Sequence, residues 1–251
     1  MAGQVLFETR GAQAVVTLSH PGKLGAMSRA MWRELRAVFQ RIQADAALRC
    51  VLMRGEGGAF CAGGDIAEYP EFRFDAQSLA DFHEGDVWGG LSAMLECDVP
   101  MVAQIEGACM GAGVEIASCC DIRVAGASAR FGAPIARLGF PMAPREAELV
   151  AAVAGMATAR EMLLEAAVFD AAEMKSRGFL QRVLPDAEVA AEAQARCNRI
   201  AQLAPRAARM NKRTLRALAA GQGVVNPYDY ASGAEHREGI AAFIEKRKAV
   251  F

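Results

Sequence analysis

Apolar, strand-like runs alternate with amphipathic helical stretches through the first half of this chain, and that alternation limits the folds open to it. Apolar strands separated by helices favour an α/β fold with an at least partly parallel sheet, because such strands are buried on both faces. A helix is predicted from about Ser28, which can cap a stripe that begins at Met31. Strands are predicted at AVVTLS (14–19), CVLMRG (50–55), PMVAQIEG (100–107), CDIRVAG (120–126) and RVLP (182–185).

The second half of the chain has a different composition. From about residue 144 it is rich in Ala, Glu, Arg and Leu and predicts mostly helix, with breaks at Gly155, Gly178 and Pro205. A further shift near 190–205 predicts an all-helical C-terminal section that packs on the core or on a neighbouring subunit. We therefore expect a core in residues 1–190 and a helical section in residues 191–251.

Charge and cysteine content restrict the class of protein. With 28 Lys and Arg against 29 Asp and Glu, the formal net charge is −1, so binding of nucleic acid through overall charge is not expected. The longest weakly polar run (149–159) is much shorter than the roughly 20 residues of a membrane span, and no signal-peptide pattern opens the chain. The seven cysteines include no CxxC pair and are interpreted as buried free thiols. A cytoplasmic protein is the expectation.

Two glycine-rich segments stand out, GEGGAFCAGGD (55–65) and EGACMGAGVE (106–115). Neither ends in GK[ST], and both lack the third glycine of a dinucleotide fingerprint. The chain has no GxSxG elbow, and its three histidines have no metal-ligand spacing. Such loops let backbone N–H groups approach a ligand, and one that opens a helix also directs a positive dipole end at an anion. Two facing loops would make an oxyanion hole, although each segment alone is also typical of a tight turn.

The motifs together carry a family resemblance. AFCAGGDIAE (59–68), EGACMGAGVEIASCCDIRVAG (106–126) and FGAPIARLGFP (131–141) resemble the crotonase, or enoyl-CoA hydratase/isomerase, superfamily, as does AAFIEKRKAVF (241–251). The resemblance covers nearly the whole chain. It implies an α/β crotonase-type spiral of ββα repeats with a C-terminal helical trimerisation section, assembled as a homotrimer or a dimer of trimers. It also implies an acyl-CoA thioester substrate, with no other cofactor and no metal.

The same resemblance implies roles for particular residues. The oxyanion donors are the N–H groups of Gly64 and Ala112, and the backbone around Ala62 meets the adenine of coenzyme A. Phe243 and Lys246 match positions that reach the coenzyme A of a neighbouring subunit. Two fixed donors of this kind stabilise the enolate that forms when a thioester is attacked at C3 or deprotonated at C2.

Glu115 is the expected acid/base. It lies about one turn after Ala112 on a helix that begins near Gly111, so its carboxylate can share the face of the oxyanion donor. It matches the first of the two catalytic glutamates of family hydratases. The structural alternative is that Glu115 is only an acidic residue in the first turn of a helix, where the positive end of the helix dipole favours a negative charge.

The second hydratase glutamate should follow FGAP, and that position is Ile135. Hydration needs a group to deprotonate water and a proton source for C2, so this departure leaves the exact reaction open. Glu146, Glu148 and His83 are the candidate substitutes, although a solvated helix charge or a polar loop contact is the ordinary interpretation of each. Cys61 has no adjacent histidine base and is a weak nucleophile candidate.

Hydration of a 2-enoyl-CoA is therefore the leading hypothesis, with isomerisation, decarboxylation or thioester hydrolysis at the same enolate site as alternatives. A catalytically weak protein that binds coenzyme A or RNA is a further alternative. For RNA, PRAARMNKRTLR (205–216) supplies a basic helix face, although a solvated or subunit-interface face is the simpler interpretation. The acyl pocket is expected to be walled by the aromatic stretch that contains Phe72, Phe74, Phe82 and Trp88.

Overall fold

The computed structural model describes residues 2–251, and its nine strands within that range form two sheets. The central sheet has six strands and the smaller sheet has three. In chain order the strands are β1 (Gln4–Arg10), β2 (Gln13–Ser19), β3 (Cys50–Gly55), β4 (Met101–Ile105), β5 (Ala108–Met110), β6 (Ile122–Gly126), β7 (Arg130–Gly132), β8 (Val168–Asp170) and β9 (Arg182–Leu184).

The central sheet has the order β1-β2-β3-β4-β6-β9 and is parallel apart from the β1–β2 hairpin. The chain leaves β4 for β5, and β6 for β7, after only a few residues, and β5 and β7 pair in the smaller sheet beside β8. Each step from the first sheet to the second is followed by a helical segment. This is the ββα repeat that the family resemblance implies.

Ten α-helices lie within the described residues, together with 3-10 turns at Ile66–Glu71 and Pro134–Leu138 and a π-helical segment at Asp81–Val87. The α-helices are α1 (Arg29–Ala44), α2 (Ala76–Ala80), α3 (Trp88–Glu96), α4 (Ala112–Cys119), α5 (Pro144–Ala154), α6 (Met156–Leu164), α7 (Ala171–Ser176), α8 (Asp186–Ala201), α9 (Pro205–Ala219) and α10 (Ala234–Ile244).

Helix α1 shows how local sequence sets an element. Ser28 has extended backbone angles, and its side chain accepts a hydrogen bond from the Met31 N–H at 3.2 Å, as the sequence predicts for an N-cap. Spacing of three and four residues then places one apolar stripe against the sheet. The buried residues of that stripe are Met31, Trp32, Leu35, Phe39 and Ile42.

The central sheet is covered on both faces, which explains why its inner strands are apolar without alternation. One face packs under α1, α3 and α4 in the main core, and the other packs under α8 through Val189, Ala193 and Cys197. The boundary predicted between residues 190 and 191 lies inside α8. The division into a spiral core and an oligomerisation section stays a prediction.

The basic face of α9 packs on its own chain. Arg209 donates to two backbone carbonyls after α1, and Lys212 bridges the Val99 carbonyl and Asp121. Arg216 donates to the Leu95 carbonyl and pairs with Asp98 at 2.8 Å. The basic stripe that suggested an RNA surface therefore caps carbonyls and carboxylates of the core.

The sequence analysis does not predict β1, the three-residue strands of the smaller sheet, or the helical segments between residues 66 and 96. Strand β1 is an edge strand whose residues are mostly exposed, so it lacks the apolar run that marks the inner strands. The three-residue strands are too short for an alternation to be visible. No helix between residues 2 and 251 has the length and apolar character needed to cross a bilayer.

Replacing the cap of α1 is expected to destabilise the fold without touching the cavity. Ser28→Ala leaves the Met31 N–H without its acceptor and should lower the free energy of unfolding by about 1 kcal/mol. Urea denaturation measures this, with the exposed Ser232→Ala as the matched control. Equal midpoints for the two variants would show that the cap does not stabilise α1.

Candidate active site

A cavity of about 350 Å³ lies between the first turns of α4 and α5, the 3-10 turn after Gly64, and the π-helical segment. Its walls are largely apolar, and a small number of charged groups face into it. The residues that line it are Trp32, Ala62, Gly63, Gly64, Ile66, Tyr69, Arg73, Phe82, His83, Val87, Met110, Gly111, Ala112, Glu115, Pro134, Ile135, Arg137, Leu138, Phe140, Pro141, Met142 and Glu146.

The N–H of Gly64 is left free by the way its neighbours pair. The Met27 N–H donates to the Gly63 carbonyl, and the Asp65 N–H donates to the Met27 carbonyl, both at 2.8 Å. In such a parallel bridge the polar groups of the middle residue point the opposite way. The Gly64 N–H accordingly has no acceptor within the described part of the chain. Gly63 has φ +116°, which a residue with a side chain adopts only with strain.

The second unpaired donor is the N–H of Ala112. Ala112 is the first residue of α4, where backbone N–H groups have no partner within the helix. The preceding Gly111 has φ +47°, and its own N–H donates to the Gly132 carbonyl at 2.8 Å. Among residues 2–251 the Ala112 N–H donates to no acceptor, and the positive end of the helix dipole adds to its pull on an anion.

The Glu115 carboxylate faces the same cavity from the first turn of α4. The residue is buried, and its N–H continues the helix by donating to the Gly111 carbonyl at 3.1 Å. Burial raises the pKa of Glu115 well above its usual range, and the negative charge of Glu146 raises it further. This environment favours the protonated form of Glu115.

Glu146 and His83 meet on the opposite wall. The His83 Nδ1 lies 2.8 Å from the Glu146 Oε1, and the two side chains are 16% and 5% exposed. Glu148, two residues further along α5, is exposed and lies outside the cavity. Of the three candidate substitutes for the carboxylate missing at Ile135, the structure brings two together and separates the third. Ile135 itself lines the cavity and packs on the main core.

The structure gathers Ala62, Gly64, Ala112 and Glu115 at one cavity. The Ala62 N–H donates to the Leu24 carbonyl at 3.0 Å, so its contact with adenine stays a prediction.

Phe243 and Lys246 lie apart from this cavity, at the end of α10 and just beyond it. Both are exposed, Phe243 by 85%. Their contact with the coenzyme A of a neighbouring subunit also stays a prediction.

The position of Cys61 does not suit a nucleophile. It is fully buried behind the cavity wall, and its thiol donates to the Gly63 carbonyl at 3.5 Å. Burial raises the pKa of Cys61 to about 12, so the reactive thiolate is scarce at neutral pH. All seven cysteines are free and buried, as the sequence predicts. The part of the chain that the structure describes holds no cluster of three metal-ligating side chains.

The predicted aromatic wall is only partly correct. Phe82 lines the cavity, and Phe72 packs behind it with ring centroids 4.6 Å apart. Phe74 is 88% exposed, and Trp88 packs against Arg145 away from the cavity. The expectation was wrong for these two because a run of aromatic residues in an irregular segment does not reveal which way each side chain points.

Tyr69 is a cavity residue that the sequence analysis missed. Its hydroxyl lies directly over Gly64, where a side chain on that glycine would collide with it. Burial raises the pKa of Tyr69 to about 12, so the phenol stays a hydrogen-bond donor at neutral pH. The Arg73 guanidinium stacks on Tyr69 and on Phe140, 4.4 Å and 3.9 Å from their ring centroids. In the sequence, only the position of Tyr69 and Arg73 shortly after the AFCAGGD motif indicates that they belong to the site.

Two unpaired N–H groups and a buried carboxylate face one cavity on a ββα spiral, an arrangement that can stabilise a bound oxyanion. Comparisons with known proteins identify the family. A family model described as enoyl-CoA hydratase/isomerase matches residues 8–251. A protein of Rhizobium meliloti named as a probable enoyl-CoA hydratase is 32% identical, over 98% of this chain and 97% of the relative.

Solved structures show the same fold. An enoyl-CoA hydratase/carnithine racemase from Magnetospirillum magneticum superposes with a TM-score of 0.94 at 36% identity, over 98% of this chain and 94% of the other. An enoyl-CoA hydratase/isomerase family protein from Hyphomonas neptunium gives a TM-score of 0.91 at 27% identity, over 98% and 97%. The chain belongs to the enoyl-CoA hydratase/isomerase family and has the crotonase fold.

The free donor of Ala112 can be removed without removing the helix. Proline is favoured at the first position of a helix, where its missing N–H is not needed by the fold. Ala112→Pro should therefore lower kcat toward an acyl-CoA substrate by about 100- to 1000-fold, whereas Ala112→Gly keeps the N–H and should stay within a few fold. Circular dichroism checks that both variants fold. Full turnover by a folded proline variant would place the oxyanion hole elsewhere.

Proposed function

We propose that this protein hydrates a 2-enoyl-CoA, using an enolate intermediate held by the N–H groups of Gly64 and Ala112 and using Glu115 as acid/base. The observation that carries the proposal is that the buried Glu115 carboxylate and both unpaired N–H groups line one cavity. The relatives named as enoyl-CoA hydratases support the same reaction class.

The chemistry follows from where charge develops. When water adds to C3 of the conjugated thioester, the electron pair of the C2–C3 double bond moves toward the carbonyl and gives an enolate oxygen. Two oriented donors in a largely apolar cavity stabilise that oxygen, each by about 3 kcal/mol on the precedent of other oxyanion holes. The donors are backbone groups held by their neighbours' hydrogen bonds, so they need little rearrangement as the charge forms.

Glu115 completes the reaction by delivering a proton to C2, and the proton released by the attacking water restores its carboxyl group. Its carboxyl group holds that proton because burial and the Glu146 charge both raise its pKa. In the reverse direction the ionised form removes the C2 proton. The reaction requires no cofactor beyond the coenzyme A that the substrate carries, and we propose that Ala62, Phe243 and Lys246 contact that coenzyme A in a trimer or a dimer of trimers in the cytoplasm.

Crotonyl-CoA tests the role of Glu115. Glu115→Gln keeps the size of the side chain but removes its acid/base function, and should lower kcat for hydration by about 100- to 10,000-fold. Because Glu115 must be protonated to act as the acid, hydration by the wild type should fall as the pH rises through the raised pKa of this group. Loss of the enoyl absorbance measures both effects. Hydration that survives Glu115→Gln would overturn the proposal.

A further inference from the structure

The wall of the cavity opposite α4 carries a second carboxylate in a built environment. Glu146 occupies the first turn of α5, where the positive end of the helix favours a negative charge. Its side chain is 5% exposed, and it lines the same cavity as Glu115. A buried carboxylate without a helical or ionic partner would be costly, so its partners are informative.

The principal partner of Glu146 is His83, which lies on the π-helical segment Asp81–Val87 between α2 and α3. A π-helical turn is rare and is found frequently at functional sites. Here it turns both Phe82 and His83 into the cavity. The Phe82 ring packs edge-on against the imidazole with centroids 5.0 Å apart. The imidazole ring of His83 is therefore held on one side by Phe82 and on the other by Glu146.

The charges near this pair leave Glu146 with one direct partner. His83 Nδ1–H donates to the Glu146 Oε1 at 2.8 Å. Arg145, the neighbouring residue on α5, pairs instead with Glu84 at 3.2 Å. Glu115 faces Glu146 across the cavity. The negative charges of both carboxylates contribute to the raised pKa of Tyr69.

We infer that Glu146, held in position by His83, is the second catalytic carboxylate of this site, and that it binds the attacking water and takes its proton. This inference rests on the proposed hydration. It explains how a chain with Ile135 at the family's second glutamate position can still add water, because an equivalent carboxylate reaches the cavity from the next helix. His83 acts through Glu146 and is a positioning residue.

The step balances with the groups present. A water O–H bond breaks and its proton goes to Glu146, while the water oxygen forms a bond to C3. The electron pair of the C2–C3 double bond moves into the enolate, and C2 then takes the proton of Glu115. Proton transfer from Glu146 back to Glu115 resets the site without any oxidant, reductant or further reactant.

The first test separates the two carboxylates by reaction. Glu146→Gln should lower kcat for crotonyl-CoA hydration by about 100-fold or more, and Glu148→Gln, an exposed carboxylate on the same helix, should behave as wild type. Exchange of the C2 hydrogens of butyryl-CoA with deuterium oxide needs only Glu115 and the two N–H groups. Glu146→Gln should therefore retain exchange, whereas Glu115→Gln should lose it.

The outcomes distinguish this inference from the proposed function. Hydration that persists in Glu146→Gln would overturn the role of Glu146 while leaving that of Glu115 intact. Equal loss of hydration and exchange in Glu146→Gln would also contradict it, because the water-binding role would then not be separable from the enolate step. A wild-type protein that exchanges butyryl-CoA but hydrates no enoyl-CoA would overturn the proposed function itself.

The second test concerns His83 and keeps both carboxylates. His83→Phe removes the donor to Glu146 and should lower kcat for hydration by about 10- to 100-fold, with little change in KM and with exchange retained. His83→Asn places an amide N–H near the position of Nδ1 and should recover much of the lost rate. Equal rates for the Phe and Asn variants would show that His83 only fills space.

Discussion

The site depends on backbone hydrogen bonds that hold the residues next to Gly64 and Ala112. Within residues 2–251 the N–H groups of Gly64 and Ala112 themselves stay unpaired. Met27 pairs with both neighbours of Gly64, and the Gly111 N–H is taken by the Gly132 carbonyl. The loop is also joined to β5, the strand that precedes α4, since the Cys61 N–H donates to the Ala108 carbonyl at 2.9 Å. An unpaired N–H is costly when it is buried without a partner. The fold therefore holds two donors at a cavity where a substrate oxygen would satisfy both.

The same arrangement sets the electrostatics of the carboxylates. Glu115 follows Ala112 by one helical turn, so any fold that presents the Ala112 donor to the cavity also carries Glu115 there. Burial beside Glu146 then favours the protonated form of Glu115. A carboxyl group whose surroundings favour its protonated form is suited to act as an acid.

The sequence predicts the features that local rules determine. The inner strands, the Ser28 cap and the glycine-bounded start of α4 follow from apolar runs and capping chemistry, and the motif resemblance places Gly64, Ala112 and Glu115 at one cavity. What it does not predict is set by tertiary contact. His83 and Glu146 are 63 residues apart, and only the packing of the π-helical segment on α5 shows that they meet while Glu148 faces solvent. The outward orientation of Phe74 likewise has no local signal.

We propose that the Gly64 and Ala112 N–H groups polarise a bound thioester carbonyl. Infrared spectroscopy of butyryl-CoA labelled with ¹³C at C1 measures this directly, because stronger hydrogen bonding weakens the C=O bond and lowers its stretching frequency. We predict that the frequency falls below its value in water when the thioester binds to the wild type, and that the shift is largely lost in Ala112→Pro. A bound carbonyl with the same frequency as in water would contradict the account.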